Sequence, residues 1–201
     1  MGKLVVDMFV TLDGVIQGPG GPDEDREGGF EHGGWQAPLS DEDSGRAIGE
    51  YLDRLDALLL GRKTYEIFAG YWPHAGDFPI ATKLNSVPKY VASTTLRSVE
   101  WNNSTLIEGD VPEGIARIKD RHNEVHVIGS AGLVQTLLRH DLVDEFNLWI
   151  YPVLLGTGKR LFADGTIPTT LRVVHSTTFA NGTIQVTYAR AGKPTYGTMS
   201  A

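Results

Sequence analysis

Gly61, Arg62, Lys63 and Thr64 follow the apolar run Leu58-Leu59-Leu60 and precede an apolar pattern of helical spacing. A glycine at such an exit permits a tight turn, and a threonine can satisfy free amides of the helix that follows. Arg62 and Lys63 then stand beside the positive end of a helix. Amides, dipole and side-chain cations pointing one way suit a phosphate. A second junction, Gly129-Ser130-Ala131-Gly132-Leu133, joins an apolar strand to an apolar helix. Small residues there let a pyrophosphate come close to peptide amides. A third, Ser93-Thr94-Thr95, places hydroxyls at a strand end, where a ribose or phosphate could be bonded. Taken singly, each has a plainer reading: a solvated basic pair, a tight turn, a polar strand end. The glycine loop Leu154–Phe162 lacks both the GxxxxGK[ST] spacing and the third glycine of a dinucleotide fingerprint. It reads as a close-approach loop beside the same pocket.

The elements that must position these groups are visible as apolar periods. In Lys3–Gly14, Leu4, Val6, Met8, Val10 and Leu12 alternate as one face of a strand. Residues 17–35 are rich in Gly, Pro and acid and read as a long loop, with the acid run Asp23–Glu27 expected to be solvated. Ile48, Tyr51, Leu52 and Leu55 recur at helical spacing. Strands are expected at 56–60, 88–94, 104–107, 124–129 and 144–156. Helices are expected from about Thr64, near Pro112–His122 and over 132–140. Pro73 and Pro79 mark a connection. Asn181-Gly182 between two apolar runs is a hairpin signal. Strands alternating with helices imply a three-layer α/β fold: a mostly parallel central sheet with an antiparallel C-terminal hairpin at its edge. In such sheets ligands sit at the carboxyl ends of strands. Residues 1–191 read as a single domain and 192–201 as a frayed tail.

Composition narrows the classes. The chain has 201 residues, 41% hydrophobic and 21% charged, which is globular composition. A net charge of -7 argues against a nucleic-acid surface, and no apolar run reaches the length of a membrane span. With no cysteine there is no disulfide, thiolate catalysis or thiolate metal site, which fits a reducing cytoplasm. The six histidines are scattered, and His122 and His126 do not share a helical face, so no metal is assigned.

Together Thr11–Gly14, Gly61–Glu66, Pro88–Thr94, Val127–Leu138 and Leu142–Phe162 resemble the dihydrofolate reductase-like superfamily. They are most similar to the reductase domain of the bifunctional riboflavin-biosynthesis deaminase–reductase and its stand-alone relatives. The likeness runs over about residues 3–190; with no cysteine and no zinc-deaminase pattern, no deaminase half is expected in it. It implies an NADPH-dependent reductase of a pteridine or a ring-opened pyrimidine, of the type that reduces 5-amino-6-(5-phosphoribosylamino)uracil. Dihydrofolate reduction is the first alternative; a nucleotide- or flavin-binding protein without turnover is the second. The resemblance also suggests a homodimer, to which the apolar strand Leu148–Leu155 would contribute.

Carried onto this chain, the resemblance implies that Gly61, Arg62, Lys63 and Thr64 hold the adenosine phosphate end, with Ser93 and Thr94 beside the 2′-phosphate. Gly129, Ser130, Ala131, Gly132 and Leu133 would receive the pyrophosphate. Thr11, Asp13 and Gly14 would lie near the nicotinamide. Trp35, Trp72 and Trp149, with Tyr151, Gly156 and Gly158, would shape the substrate side. The superfamily's substrate-contacting acid follows a Trp and a Pro. Here Trp35 and Pro38 are followed by Ser40 where the acid would fall, with Asp41 next. Asp41 is the expected proton donor, and Asp13 the reserve.

Overall fold

The computed structural model describes residues 2–199. Its first strand, β1 (Lys3–Thr11), is buried on both faces over most of its length. The face formed by Leu4, Val6, Met8 and Val10 is therefore not the only buried one. The reason is its place in the sheet: β1 lies between β5 (Glu124–Ile128) and β6 (Glu145–Tyr151), parallel to both. Leu12 falls beyond the strand and is 67% exposed.

The remaining strands are β2 (Ala57–Gly61), β3 (Lys89–Ala92), β4 (Ser104–Leu106), β7 (Leu171–Thr178) and β8 (Ile184–Arg190). They form one sheet in the order β4-β3-β2-β5-β1-β6-β8-β7. The first six are mutually parallel, and β8 runs antiparallel to both β6 and β7. This is the expected α/β sheet with its antiparallel C-terminal edge.

Helices α1 (Glu42–Leu52), α2 (Arg62–Tyr71), α3 (Pro79–Ser86), α4 (Val111–Lys119) and α5 (Ala131–Arg139) cover the sheet. Ala57 and Leu59 of β2 pack in the core that contains Ile115 of α4 and Leu133 and Leu137 of α5. Leu58 and Leu60 face the other way, into a core with Leu52 of α1, Tyr65 of α2 and Leu84 of α3. The single alternation within β2 thus separates two helical layers. Helix α3 lies where only a connection was expected. Pro79 sits in its first turn, where the missing amide costs nothing, and Ala81 and Leu84 supply the buried face.

The segment 17–35 is less loose than its composition implies. It carries a 3-10 turn at Glu27–Gly29, and Gln17 Nε2 ties it down through the carbonyls of Asp25 (3.1 Å) and Glu27 (3.0 Å). Trp35 Nε1 donates to the Gln17 carbonyl at 2.8 Å. Residues 192–199 belong to no helix or strand, and residues 200 and 201 lie outside the described residues.

Candidate functional site

A cleft of about 1240 Å³ opens where β1, β2, β3 and β5 meet the starts of α2 and α5. Helix α2 begins at Gly61 with no side-chain cap, and α5 begins at Ser130, also uncapped. Each start leaves first-turn amides without intrahelical acceptors. Ser130 and Gly129 both have left-handed backbones, with φ of 60° and 61°. This reversal turns the chain from the end of β5 into the helix.

The two starts are braced together. Ser130 Oγ accepts from the Gly61 amide at 3.0 Å, and Thr64 Oγ1 accepts from the Ser130 amide at 2.8 Å. Thr64 therefore bonds the neighbouring junction rather than the amides of its own helix, as had been expected. A Cβ on Gly129 would meet the Thr64 side chain at 3.2 Å, so that glycine serves the brace. A Cβ on Gly132 would meet nothing within 4 Å, so its lack of a side chain leaves open space in the cleft wall. Ser93, Thr94 and Thr95 line the same cleft, with Ser93 Oγ accepting from the Thr95 and Leu96 amides. The three chemically loaded junctions thus come together, Gly61–Thr64, Ser93–Thr95 and Gly129–Leu133 on one wall.

The cations of that wall are already engaged. Arg62 pairs with Glu66 one turn along α2 at 2.9 Å. Lys63 pairs with Glu27 at 2.5 Å and lies 3.7 Å from Asp25. Lys159 bonds Asp25 at 2.5 Å and Glu27 at 2.7 Å. The acid run is therefore only partly solvated, because Asp25 and Glu27 strap the 17–35 segment across two lysines. Burial alone would raise the Asp25 carboxyl, but Lys159, the Glu27 amide and Lys63 together outweigh it and hold the group below its ordinary range. Glu24 shows the opposite balance: burial raises it although the Gly20 and Gly21 amides donate to it.

Several residues expected in the site serve the fold around it instead. Asp41 is the N-cap of α1, accepting from the Ser44 amide at 2.7 Å and the Ser44 hydroxyl at 2.5 Å. Those Ser44 bonds lower its pKa, and Asp41 does not line the cleft. Asp13 accepts from Thr11 Oγ1 at 2.5 Å and from the Gly156 amide at 2.7 Å, which ties the β1 turn to the glycine loop. Thr11 Oγ1 in turn accepts from the Val15 amide, and Gly14, with φ of 86°, closes that turn. Gly158 is a packing glycine, since a Cβ there would come within 2.8 Å of Val15 and 2.9 Å of Phe30. Trp35 and Tyr151 are buried against each other, rings 5.5 Å apart, with the Tyr151 hydroxyl held by Gln36. Trp72 and Trp149 do line the cleft.

The residue that sequence reading passed over is Asp7. It lines the cleft from the middle of β1, bonded to Asn147 of β6 and His126 of β5. A signal was present: Asp7, His126 and Asn147 are lone polar residues inside three apolar runs.

This sheet order and cleft define a dihydrofolate reductase-like α/β protein. The chain belongs to the RibD C-terminal domain family, whose model matches residues 2–185. It is 31% identical over 191 residues to the uncharacterized protein YyaP of Bacillus subtilis (strain 168), covering 92% of this chain and 94% of that one. Among solved structures, a Shewanella sp. PV-4 protein assigned to riboflavin biosynthesis superposes with TM-score 0.72 at 26% identity, covering 94% of this chain and 99% of that one. Enterococcus faecalis dihydrofolate reductase, solved with NADP(H), shares the fold at TM-score 0.59 and 14% identity, with 94% and 96% covered. Among the described residues, no helix is long and apolar enough to cross a membrane.

Proposed function

We propose that this chain is an NADPH-dependent reductase of a pyrimidine or pteridine. The observation that carries the reading is the braced pair of uncapped helix starts lining a cleft that also holds Phe68, Trp72 and Trp149. NADPH supplies a hydride when bound. The amides of Ala131, Gly132 and Leu133 would take its pyrophosphate, and the open space at Gly132 fits that approach. Arg62, Ser93 and Thr94 would face the 2′-phosphate end. Phe68, Trp72 and Trp149 line the cleft and would shelter a planar ring. Membership of the RibD C-terminal domain family supports the reaction class, and the likeness to a dihydrofolate reductase solved with NADP(H) supports the cofactor.

The test is loss of the reduced-nicotinamide absorbance on mixing enzyme and NADPH with dihydrofolate or 5-amino-6-(5-phosphoribosylamino)uracil. Turnover of one of these is expected. Tight NADPH binding with no turnover on any pterin or pyrimidine would favour a binding protein, and a yellow preparation a flavoprotein. We also propose a homodimer. The part of Leu148–Leu155 inside β6 is mostly buried, but Leu154 beyond it is exposed, as are Val173 and Val174 of the edge strand β7, so these would supply the contact.

A further inference from the structure

The cleft carries a second polar feature, on β1, where Asp7 is paired with Ile128 two residues before Ser130. Asp7 Oδ1 accepts from Asn147 Nδ2 at 2.9 Å, and Asp7 Oδ2 lies 2.5 Å from His126 Nδ1. The other ring nitrogen of His126, Nε2, lies 3.3 Å from Glu124 Oε2. A ring nitrogen that faces a carboxylate is a donor, and with both so placed the imidazole holds both protons. His126 is fully buried. Burial alone would lower its pKa, but Asp7 and then Glu124 outweigh this and raise it above the ordinary value of 6.5.

The surroundings are closed by groups of known charge. Tyr51 of α1 packs edge-on to His126 with ring centroids 5.7 Å apart. Its hydroxyl is buried with no hydrogen-bond partner among the described residues, and burial followed by the Asp7 charge raises its pKa. Glu124 is also paired with Arg54 at 2.6 Å, and Glu145 of β6 with Lys3 at 2.6 Å. Asn147 is fixed from behind by Gln185 Nε2 at 2.5 Å. Among the described residues, Asp7 is the one carboxylate that the sheet gives to the cleft; the others belong to the 17–35 strap.

We propose that Asp7 contacts the substrate, accepting the N–H edge of a nitrogen heterocycle, and that the Asp7–His126 pair holds the proton which the ring nitrogen takes up. This deepens the reductase reading and rests on it. When a C=N bond is reduced, hydride joins the carbon, the π pair moves to nitrogen and a proton completes the N–H bond. That proton leaves His126 Nδ1 by way of Asp7 Oδ2. The pair passes from carboxylate–imidazolium to carboxylate–imidazole, and solvent restores the proton after product leaves. Asp7 is then the catalytic residue and His126 its positioning partner. The same carboxylate selects rings with an amidine-like N–H edge over rings that present only acceptors there.

The probe is 2-aminopyridine, which presents such an edge and whose ultraviolet spectrum changes on protonation. NADPH binding to wild type and Asp7→Asn is measured first, by fluorescence. The probe is then titrated into both NADPH-loaded proteins across pH. Wild type should bind it at millimolar concentrations with the ring nitrogen protonated, its apparent pKa raised by about one unit or more. Asp7→Asn should bind NADPH normally, hold the probe about tenfold more weakly, and leave it neutral. No binding to wild type, binding without the protonation shift, or equal binding to the variant would each overturn the proposal. The wild-type shift needs no variant, so a misfolded Asp7→Asn does not remove the test. Failure to bind NADPH would instead sink the reductase reading, and the probe is then read on the free protein against the same outcomes.

Discussion

Thr64 Oγ1 accepts from the Ser130 amide at 2.8 Å while Ser130 Oγ accepts from the Gly61 amide at 3.0 Å, so two helix starts from distant parts of the chain form one rigid wall. Thr64→Val keeps the shape and removes the acceptor, leaving the Ser130 amide unpaired. The loss should be about 1–3 kcal/mol in urea unfolding, with NADPH affinity down about tenfold. Lowered stability with unchanged affinity would confine the brace to folding.

Arg62 is the cation best placed to discriminate between cofactors, because its partner Glu66 lies on its own helix and both side chains are more than two-fifths exposed. Such a pair is weakly held and yields to a phosphate. Arg62→Ala should therefore weaken NADPH by roughly tenfold or more and barely affect NADH. Isothermal titration with both cofactors checks this, and equal losses would remove Arg62 from the 2′-phosphate site.

Asp25 holds the strap down, through Lys159 at 2.5 Å. Asp25→Asn removes the charge and keeps the size. The strap should then open more often, and tryptic cleavage after Arg26 should quicken several-fold. Cleavage at the wild-type rate would show that Gln17 and Trp35 suffice to fix the segment.

His126 makes stability depend on pH in a stated direction. Its pKa is raised in the folded state above 6.5, chiefly by Asp7 against the opposing effect of burial. The folded state therefore binds the proton more tightly than the unfolded chain. This contribution is fully present below about pH 6.5 and is lost as pH rises through the folded value. Against His126→Gln, the wild-type advantage in Tm should shrink steadily across that rise. An advantage that grows with pH would mean that the ring is buried neutral.

Much of the architecture could be read from the chain because apolar period and turn chemistry agree in it. The β2-α2 and β5-α5 junctions show an apolar run, small residues and a helical pattern in sequence, so their place at the strand ends followed. Helix α3 was missed because Pro79 was read as a breaker, when a proline in the first turn fits a helix equally well. Asp7 was missed for a different reason. The alternation places Asp7 off the Leu4–Leu12 face, but β1 is central and buried on both faces; a polar residue there must find partners, and His126 and Asn147 lie on the two flanking strands. Asp41 was favoured by its order after Trp35 and Pro38, and spacing alone could not tell a helix cap from a cleft acid. The pairing of Lys63 with Glu27 joins distant segments and leaves no local pattern.

The central claim is that the α5 start receives a dinucleotide, and NADPH titration of Gly132→Val tests it most directly. A Cβ on Gly132 meets nothing within 4 Å, and valine is a better helix former than glycine, so the variant should fold. Its side chain would fill the room that a pyrophosphate needs. Fluorescence titration should give saturable NADPH binding by wild type and a loss of about 100-fold or more in a variant whose far-ultraviolet spectrum and Tm remain close to wild type. Wild-type affinity in the folded variant would contradict the account.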